Sequence, residues 1–236
     1  MNISIKGFID TSFIDWPGKI TAVIFLPYCN FRCPFCHNFE IIQRPEDYKS
    51  IPLEDVFSRL KKLSGWVDGV CVSGGEPTIN SFLPFLFDEI KNNGYLAKLD
   101  TNGSNPDLLD ELIKNSLVDY VAMDIKAPLN NEIYSLCTGT NVDVLPIKRS
   151  IEILMSSSIS YEFRTTMVPC FHTEEDIYEI ACYIKGSSKY TIQNLKAEDV
   201  LDPDLKKVKP LTSEKISQIQ STVTGLLNPA FSPASC

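Results

Sequence analysis

The stretch ITAVIFLPYCNFRCPFCHN, residues 20–38, joins an apolar run directly to three cysteines. The run ITAVIFL, residues 20–26, is rich in β-branched side chains, which predicts a buried strand. Cys29, Cys33 and Cys36 follow it at spacings of four and three residues. A chemical motif therefore lies just beyond the end of a strand, and this arrangement recurs along the chain.

Short apolar runs alternate with longer amphipathic segments through most of the sequence. We predict strands at residues 20–26, 69–73, 95–100, 119–125, 161–168 and 190–194. We predict helices at residues 53–63, 81–93, 105–115, 145–157, 173–185 and 212–227. The fifth helix begins with Thr173 and Asp176 in the spacing of a capping box. This alternation indicates an α/β fold built around a parallel sheet.

The number of βα units bounds the architecture. Six units are fewer than the eight of a closed barrel, so we expect a partial (β/α)6 TIM-like barrel, although a doubly wound sheet has the same pattern. Both architectures bind ligands at the carboxyl ends of the strands, where the motifs of this chain fall. We assign residues 1–200 to the barrel domain and residues 201–236 to a closing helix and a flexible tail that ends in Cys236.

Composition excludes several classes of function. The formal net charge of −8 disfavours a nucleic-acid partner, because phosphate-backbone binding depends on Lys and Arg. The amino terminus lacks the apolar run of a signal peptide, and no stretch is apolar enough for a membrane span. Eight cysteines without such a signal point to a reducing, cytoplasmic location. We interpret five of them as core or incidental surface thiols: Cys71, Cys137, Cys170, Cys182 and Cys236.

The three clustered cysteines suit a metal centre that lacks one protein ligand. Structural zinc normally has four protein ligands, and the sequence contains no second pair of closely spaced cysteines. A [4Fe-4S] cluster held by three thiolates would leave one iron open to a small molecule. His37 is a candidate for the fourth ligand, but it adjoins Cys36, where a loop wrapped around a cluster leaves its side chain little freedom.

A second motif, SGGEP, occupies residues 73–77 at the end of the second predicted strand. Taken alone, a Gly-Gly turn before a helix is most often structural. Beside a cluster it has a further interpretation, because Gly74 and Gly75 would let the backbone approach a ligand closely. Glu76 would then accept a charge-assisted hydrogen bond from a ligand ammonium group.

Together these motifs resemble those of a known superfamily. The C-x3-C-x2-C spacing, with Phe35 before the last cysteine, and GGEP at 74–77 resemble the radical S-adenosylmethionine (SAM) superfamily. More narrowly, the segments at residues 13–38, 72–80, 98–112 and 117–129 resemble the activating enzymes of glycyl radical enzymes, most closely the anaerobic ribonucleotide reductase activating proteins. The resemblance extends over roughly residues 7–200 and implies the radical SAM type of partial barrel.

The resemblance implies a role for each matching residue. Cys29, Cys33 and Cys36 would bind one [4Fe-4S] cluster, whose open iron is chelated by SAM. Phe35 and Val168 would lie against the adenine, and the methionine and ribose groups would meet Ser73, Gly74, Gly75 and Glu76. Lys126 and Arg164 match basic residues near the SAM carboxylate, although a solvated or ion-paired strand end is the alternative. A monovalent-cation site beside SAM would comprise Asp100, Thr101 and Asp124.

The sequence also departs from the family pattern. Tyr28 stands where the family often has a glycine before the first cluster cysteine, which puts the conformation of that loop in question. Cys170 replaces the glycine of a Val-Pro-Gly turn and has no assigned role. Residues 37–70 contain no cysteine, so we expect no second cluster in that segment.

The implied activity is the reductive cleavage of SAM to a 5′-deoxyadenosyl radical, which abstracts hydrogen from a glycine of a partner glycyl radical enzyme. Anaerobic ribonucleotide reductase is the expected partner, with a flavodoxin or ferredoxin-type reductant. A formate-lyase-type activase and a radical SAM enzyme acting on a small molecule, similar to deazaguanine synthases, are the alternatives. The remaining alternative is a structural zinc or iron–sulfur protein without catalytic activity.

Overall fold

The computed structural model describes residues 3–228, which contain seven strands. They form one sheet in the order β1 to β7, which confirms the predicted α/β class. The strands are β1 (Gly7–Ser12), β2 (Thr21–Leu26), β3 (Gly69–Gly74), β4 (Leu96–Thr101), β5 (Tyr120–Asp124), β6 (Ser160–Met167) and β7 (Tyr190–Asn194).

Eight α-helices accompany these strands. They are α1 (Phe39–Gln43), α2 (Leu53–Lys62), α3 (Leu83–Asn92), α4 (Pro106–Lys114), α5 (Asn131–Thr138), α6 (Leu145–Ser156), α7 (Glu174–Tyr183) and α8 (Ser213–Leu226). The capping box predicted for Thr173 and Asp176 is confirmed at the start of α7. Short 3-10 helices occur at Pro45–Asp47, Pro77–Ile79 and Pro203–Lys207. Among residues 3–228, no helix combines the length and apolarity needed to cross a bilayer.

Strand β1 was not among the six predicted strands, and helices α1 and α5 were not predicted either. Strand β1 pairs antiparallel with β2, in a register that places Gly7 opposite Phe25. Most of its residues are only half-buried or exposed, so its sequence GFIDTS lacks the apolar run that marks the other strands. The sheet therefore has the six expected strands and one antiparallel edge strand.

The chain divides into two compact units that are interleaved in sequence. The first, here called the β3 unit, comprises Asn38–Thr101, Asp107–Val121 and, of the described residues, 3–30. Its strands β2, β3 and β4 are parallel, with Thr21 opposite Gly69 and Gly69 opposite Leu96. Its core is formed by side chains with no exposed surface, among them Val23, Ile24, Val70, Val72 and Leu99. Their burial on both faces explains the continuous apolar runs.

The second unit, here called the β6 unit, comprises Phe31–His37, Asn102–Pro106 and, of the described residues, 122–228. Strands β6 and β7 are parallel within it, with Phe163 opposite Tyr190. Helix α8 packs on β7, because Gln220 accepts a hydrogen bond from Ile192 N at 2.8 Å and donates one to Tyr190 O at 2.7 Å. The predicted closing helix is thus present, whereas the tail that ends in Cys236 lies outside the described residues.

Candidate functional site

The cysteine motif begins three residues after β2 and carries Cys29, Cys33 and Cys36 as thiols. Cys33 is buried, whereas Cys29 and Cys36 are half-buried. A turn joins the last two, in which Cys36 N donates to Cys33 O at 3.0 Å. Three soft sulfur donors in one short loop are the ligand type that iron–sulfur clusters take, so the donor set fits such a cluster.

The part of this loop in the β6 unit is supported from two sides. Arg32 N donates to Thr138 O, the last residue of α5, at 2.8 Å. Gly139 follows with φ of 63°, and a Cβ there would stand 2.4 Å from Arg32 O. On the other side, Asp202 N donates to Pro34 O at 2.8 Å. Helix α5, which was not predicted, therefore helps to fix the cysteine loop.

The two glycines of SGGEP bring the end of β3 against the chain that leads to Cys29. Gly75 N donates to Leu26 O and Glu76 N donates to Tyr28 O, both at 2.9 Å. A Cβ on Gly75 would lie 1.7 Å from Tyr28 O, and one on Gly74 would lie 2.3 Å from Leu26 O. These glycines therefore allow one backbone to pass close to another, a role that the sequence interpretation, which considered only a ligand, did not include.

Tyr28 itself adopts the left-handed conformation, with φ of 64°. Its side chain is about half exposed to solvent, at 53%. The left-handed region costs a residue with a side chain roughly 1–2 kcal/mol. The loop thus has the backbone conformation that suits a glycine. The tyrosine that departs from the family pattern at this position adopts that conformation.

Glu76 is 1% exposed and its carboxylate is held by neutral donors. Its Oε1 accepts hydrogen bonds from Thr78 N at 3.0 Å, from Thr78 Oγ1 at 2.6 Å and from Thr101 Oγ1 at 2.6 Å. Glu76 also caps the 3-10 helix that follows it. The carboxylate is therefore oriented by the ends of β3 and β4, while its expected contact with a ligand ammonium group remains a prediction.

A buried ion pair lies on β4. Lys98 Nζ has no exposed surface and donates to Asp100 Oδ1 at 2.6 Å and to Asp15 O at 2.5 Å. Ser73 Oγ approaches Asp100 Oδ2 at 3.4 Å. Two of the predicted site residues, Ser73 and Asp100, are thereby brought together, and Lys98 is an unpredicted third member of the group.

In the β6 unit, Asp124 lies between two cations. Lys126 Nζ donates to its Oδ2 at 2.9 Å, and Arg164 Nε donates to its Oδ1 at 2.8 Å. Burial alone would raise the pKa of Asp124, but the charges of Arg164 and Lys126 outweigh it and hold the pKa below its usual range. Burial alone would lower the pKa of Lys126, but the Asp124 carboxylate raises it. The two predicted carboxylate-binding cations are thus brought together and kept charged.

Burial raises the pKa of the Cys33 thiol to about 11, although the nearby Lys126 charge acts in the opposite direction. A thiolate is the form that binds iron, so cluster binding must displace a proton from this sulfur. The positive charge of Lys126 stabilises the thiolate. Lys126, just beyond the end of β5, therefore favours the thiolate form of Cys33, which is the form that binds iron.

Phe35 and Val168 are both buried in the β6 unit. The Phe35 ring packs against Phe171, with ring centroids 6.3 Å apart, and against His172, with centroids 6.4 Å apart and an edge-on geometry. Val168 follows β6 directly, whereas it was predicted to be the last residue of that strand. Cys170, in the same turn, is exposed.

His172 connects three of these positions. Its Nδ1 accepts a hydrogen bond from Val168 N at 3.0 Å, and its Nε2 lies 2.8 Å from Lys126 O. A carbonyl can only accept, so we assign the proton to Nε2 of a neutral ring. Nε2 is also 3.6 Å from the buried Cys137 sulfur. His172 therefore joins the ends of β5 and β6 beside the aromatic residue of the cysteine motif.

His37, the other histidine, is exposed to solvent. Partial desolvation of its ring lowers its pKa, while a hydrogen bond to the Asp199 backbone acts in the opposite direction. Its ring thus contacts the segment that follows β7. Its role as a cluster ligand remains a prediction.

Lys98 and His172 are the residues that sequence reasoning missed. Lys98 lies two positions before Asp100 on a strand whose neighbours Ala97 and Leu99 are buried, and period-2 alternation places Lys98 and Asp100 on one face. That pattern would have revealed the pair. His172 stands four residues after Val168 in a loop, where the sequence gives no indication of its partners.

Comparison with known proteins places these features in a family context. The family model described as the Radical SAM superfamily matches residues 23–184. A “Putative glycyl-radical enzyme activating enzyme” of Methanocaldococcus jannaschii is 35% identical over 217 residues, which cover 91% of this chain and 88% of that protein. The pyruvate formate-lyase-activating enzyme of Streptococcus mutans is 30% identical over 200 residues, covering 80% of this chain and 72% of that protein.

Solved structures show the same architecture. The crystal structure of Streptococcus suis SuiB bound to S-adenosylmethionine superposes with a TM-score of 0.62 at 17% identity, covering 86% of this chain and 48% of that chain. At that identity the likeness shows the fold alone. The TIM-barrel-like α/β fold predicted for the chain is confirmed.

Proposed function

Because this chain belongs to the radical SAM superfamily and, within it, to the glycyl-radical enzyme activating enzymes, we propose that it installs the glycyl radical of an anaerobic ribonucleotide reductase. The family uses one [4Fe-4S] cluster and SAM as cofactors. The choice of reductase rests on the sequence segments at residues 13–38, 72–80, 98–112 and 117–129. The pyruvate formate-lyase-activating relative makes a formate-lyase-type enzyme the second candidate partner.

When bound, the cluster and SAM would supply the radical chemistry, in which one electron cleaves the C5′–S bond of SAM and a hydrogen atom passes from a glycine Cα of the partner to C5′, giving methionine, 5′-deoxyadenosine and a glycyl radical. The chain supplies binding and orientation. Cys29, Cys33 and Cys36 would hold the cluster. A flavodoxin or ferredoxin would deliver the electron, in the reducing cytoplasm where free thiols persist.

The observation that carries this proposal is the contact between the two motifs in the β3 unit. Tyr28 O accepts from Glu76 N, and a Cβ at Gly75 would occupy the position of that carbonyl. The backbone that begins the cysteine motif is thus fixed to the backbone that carries Glu76. One molecule could then bind the open iron and Glu76 at the same time, as chelation of the iron by SAM requires.

The remaining assignments follow the chemistry of SAM. Glu76 would accept from the methionine ammonium, with Ser73, Gly74, Gly75 and Asp100 lining the same strand ends. In the β6 unit, Lys126 and Arg164 would attract the SAM carboxylate, since Asp124 keeps both charged and in place. Phe35 and Val168 would offer apolar surface to the adenine.

Electron paramagnetic resonance tests the partner. The cluster-loaded protein, SAM and a reductant are incubated anaerobically with a ribonucleotide reductase or with a formate-lyase-type enzyme, and the glycyl radical doublet is recorded. We expect the doublet with the reductase. A doublet with the formate-lyase-type enzyme alone would make the second candidate the partner. Turnover of a purified deazaguanine precursor without any protein partner would favour the small-molecule alternative.

Replacing Cys33 with Ala tests the cluster assignment. We expect SAM cleavage to be abolished, because two thiolates hold a cluster poorly. Iron and sulfide content and 5′-deoxyadenosine release are the measurements. Cys170→Ala, which removes an exposed thiol in the same unit, is the control and should retain both. Full iron content and activity in the Cys33 variant would remove Cys33 from the ligand set.

A further inference from the structure

The buried ammonium group of Lys98 contacts oxygen atoms that could otherwise bind a free cation. Its side chain has no exposed surface, and its Nζ lies 2.6 Å from Asp100 Oδ1 and 2.5 Å from the carbonyl oxygen of Asp15. The Cys71 sulfur is 3.9 Å away, and the Tyr120 ring centroid is 5.9 Å away. A charge removed from water in this way persists only when it is paired and hydrogen-bonded.

Asp100 and Thr101 were expected to contribute to a monovalent-cation site, and in the β3 unit both side chains already have other partners. Asp100 accepts from Lys98 Nζ, and the Thr101 hydroxyl donates to Glu76 Oε1 at 2.6 Å. In the β6 unit, the third expected ligand, Asp124, accepts from Lys126 and Arg164. The two carboxylates are therefore engaged with protein cations, and the Thr101 hydroxyl is held by a carboxylate acceptor.

A free cation at Asp100 would also meet an unfavourable charge. It would have to approach a carboxylate whose Oδ1 is in contact with an ammonium group, and like charges at such separations repel strongly in a buried site. An ammonium group donating to a carboxylate and to a backbone carbonyl carries the single positive charge of a potassium ion and contacts oxygen atoms of the kind that such an ion binds. The residues of the β3 unit thus do not fit an added cation.

We propose that the Lys98 ammonium group takes the place of a bound monovalent cation at Asp100, so that SAM binding and cleavage by this protein need neither potassium nor sodium. Lys98 is a positioning residue: it holds the Asp100 carboxylate and the Asp15 loop in place and neutralises the charge of Asp100 from within the chain. The inference rests on the proposed function only in that Asp100 lines the SAM site.

The first test uses the unmodified, cluster-loaded protein. SAM affinity by equilibrium dialysis and 5′-deoxyadenosine release are measured in choline chloride and in potassium, sodium or ammonium chloride at equal ionic strength. Photoreduced deazaflavin in a choline buffer replaces sodium dithionite as the reductant. We expect both quantities to agree among these salts within about twofold. A loss of about tenfold or more in choline that potassium restores would overturn the proposal.

The second test creates the cation requirement. Lys98→Met keeps the length of the side chain and removes its charge, and we expect SAM affinity to fall at least about tenfold in choline and to recover in potassium or ammonium. Dialysis with radioactive rubidium should show one bound ion in this variant and none in the unmodified protein. Lys91→Met removes the ion pair with Asp119 in the same unit and is the matched control, with no response to potassium.

Two further measurements keep the outcome decisive. If Lys98→Met does not fold, the double variant Lys98→Met/Asp100→Asn, which removes both charges, should fold, bind no rubidium and remain indifferent to potassium. Rubidium bound to the unmodified protein at one equivalent would overturn the proposal, even if SAM were never cleaved. Absence of SAM cleavage in every salt would instead refute the proposed function, so the two failures are distinguishable.

Discussion

The ends of β3 and β5 each present a carboxylate, buried at Glu76 and partly buried at Asp124, but they hold it by different means. At the β3 end, Glu76 receives hydrogen bonds from a backbone amide and two threonine hydroxyls. At the β5 end, Asp124 lies between Lys126 and Arg164. Hydrogen bonds from neutral donors are little affected by salt, whereas salt screens the attraction between charged groups. The β3 end is thus held by neutral donors and the β5 end by charges.

The largest effect is expected at the β5 end. Asp124→Asn leaves two largely buried cations without their carboxylate, so we expect a loss of roughly 3 kcal/mol in the free energy of unfolding. Urea unfolding monitored by circular dichroism measures it. Asp110→Asn, which removes a surface ion pair with Lys114, should cost no more than about 0.5 kcal/mol. Equal losses in the two variants would contradict the electrostatic description of the β5 end.

Glu76→Gln examines the neutral support. The amide keeps an oxygen for the threonine donors, so we expect the free energy of unfolding to change by less than about 1 kcal/mol. The negative charge offered to the SAM ammonium is lost, which should raise the KM for SAM roughly 10-fold to 100-fold with little change in kcat. Steady-state 5′-deoxyadenosine release provides both constants. An unchanged KM would remove Glu76 from the SAM site.

A pH effect should appear at His172 in the β6 unit. Burial lowers its pKa, so the unfolded chain, whose histidine titrates near pH 6.5, takes up the proton first as the pH falls. The contribution of His172 to stability is therefore full above about pH 6.5 and is lost as the pH falls toward the folded pKa, by at most about 1.4 kcal/mol per pH unit. Thermal unfolding of wild type and His172→Asn between mildly acidic and neutral pH measures the difference.

The groups around His172 do not mask the pH dependence of its contribution to stability. Burial raises the pKa of Cys137 to about 12, so its thiol stays neutral, and Lys126 stays charged. The Asp176 carboxylate favours the protonated ring and limits the shift without reversing it. A wild type and a variant with identical pH slopes would show that His172 is not held neutral.

The smallest effect concerns Tyr28. Tyr28→Gly relieves the cost of a left-handed residue with a side chain, although glycine gains freedom in the unfolded state, so we expect a net stabilisation of at most about 1 kcal/mol. Tyr28→Ala retains the backbone cost and is the matched control. The difference between the two variants in the free energy of unfolding in urea measures the cost of the left-handed conformation. If the glycine variant were less stable than the wild type, the contacts of the tyrosine side chain would outweigh that cost.

The sequence predicted those parts of the fold and site that have a local signature. Strands β2 to β7 were predicted because each is a short run of apolar or β-branched side chains, and the three cysteines are proposed as cluster ligands because their spacing is rare. Strand β1 was missed because its burial comes from pairing with β2. Lys98 was missed because its role depends on a contact with Asp15, which is distant in sequence, and His172 because its role depends on a contact with the distant Lys126.

The passage of Gly75 against Tyr28 has a consequence for protein engineering. A graft of the cysteine motif onto another scaffold would have to include both β2 and β3 with their two-glycine end, since the first cysteine takes its position from the neighbouring strand. Insertions between Leu26 and Cys29 would disrupt the hydrogen bonds that align this segment with the end of β3. The segment around Lys49 and Ser50, which is on the surface, is the better place to lengthen the chain. The cysteine motif can therefore be transferred to another protein only together with both strands.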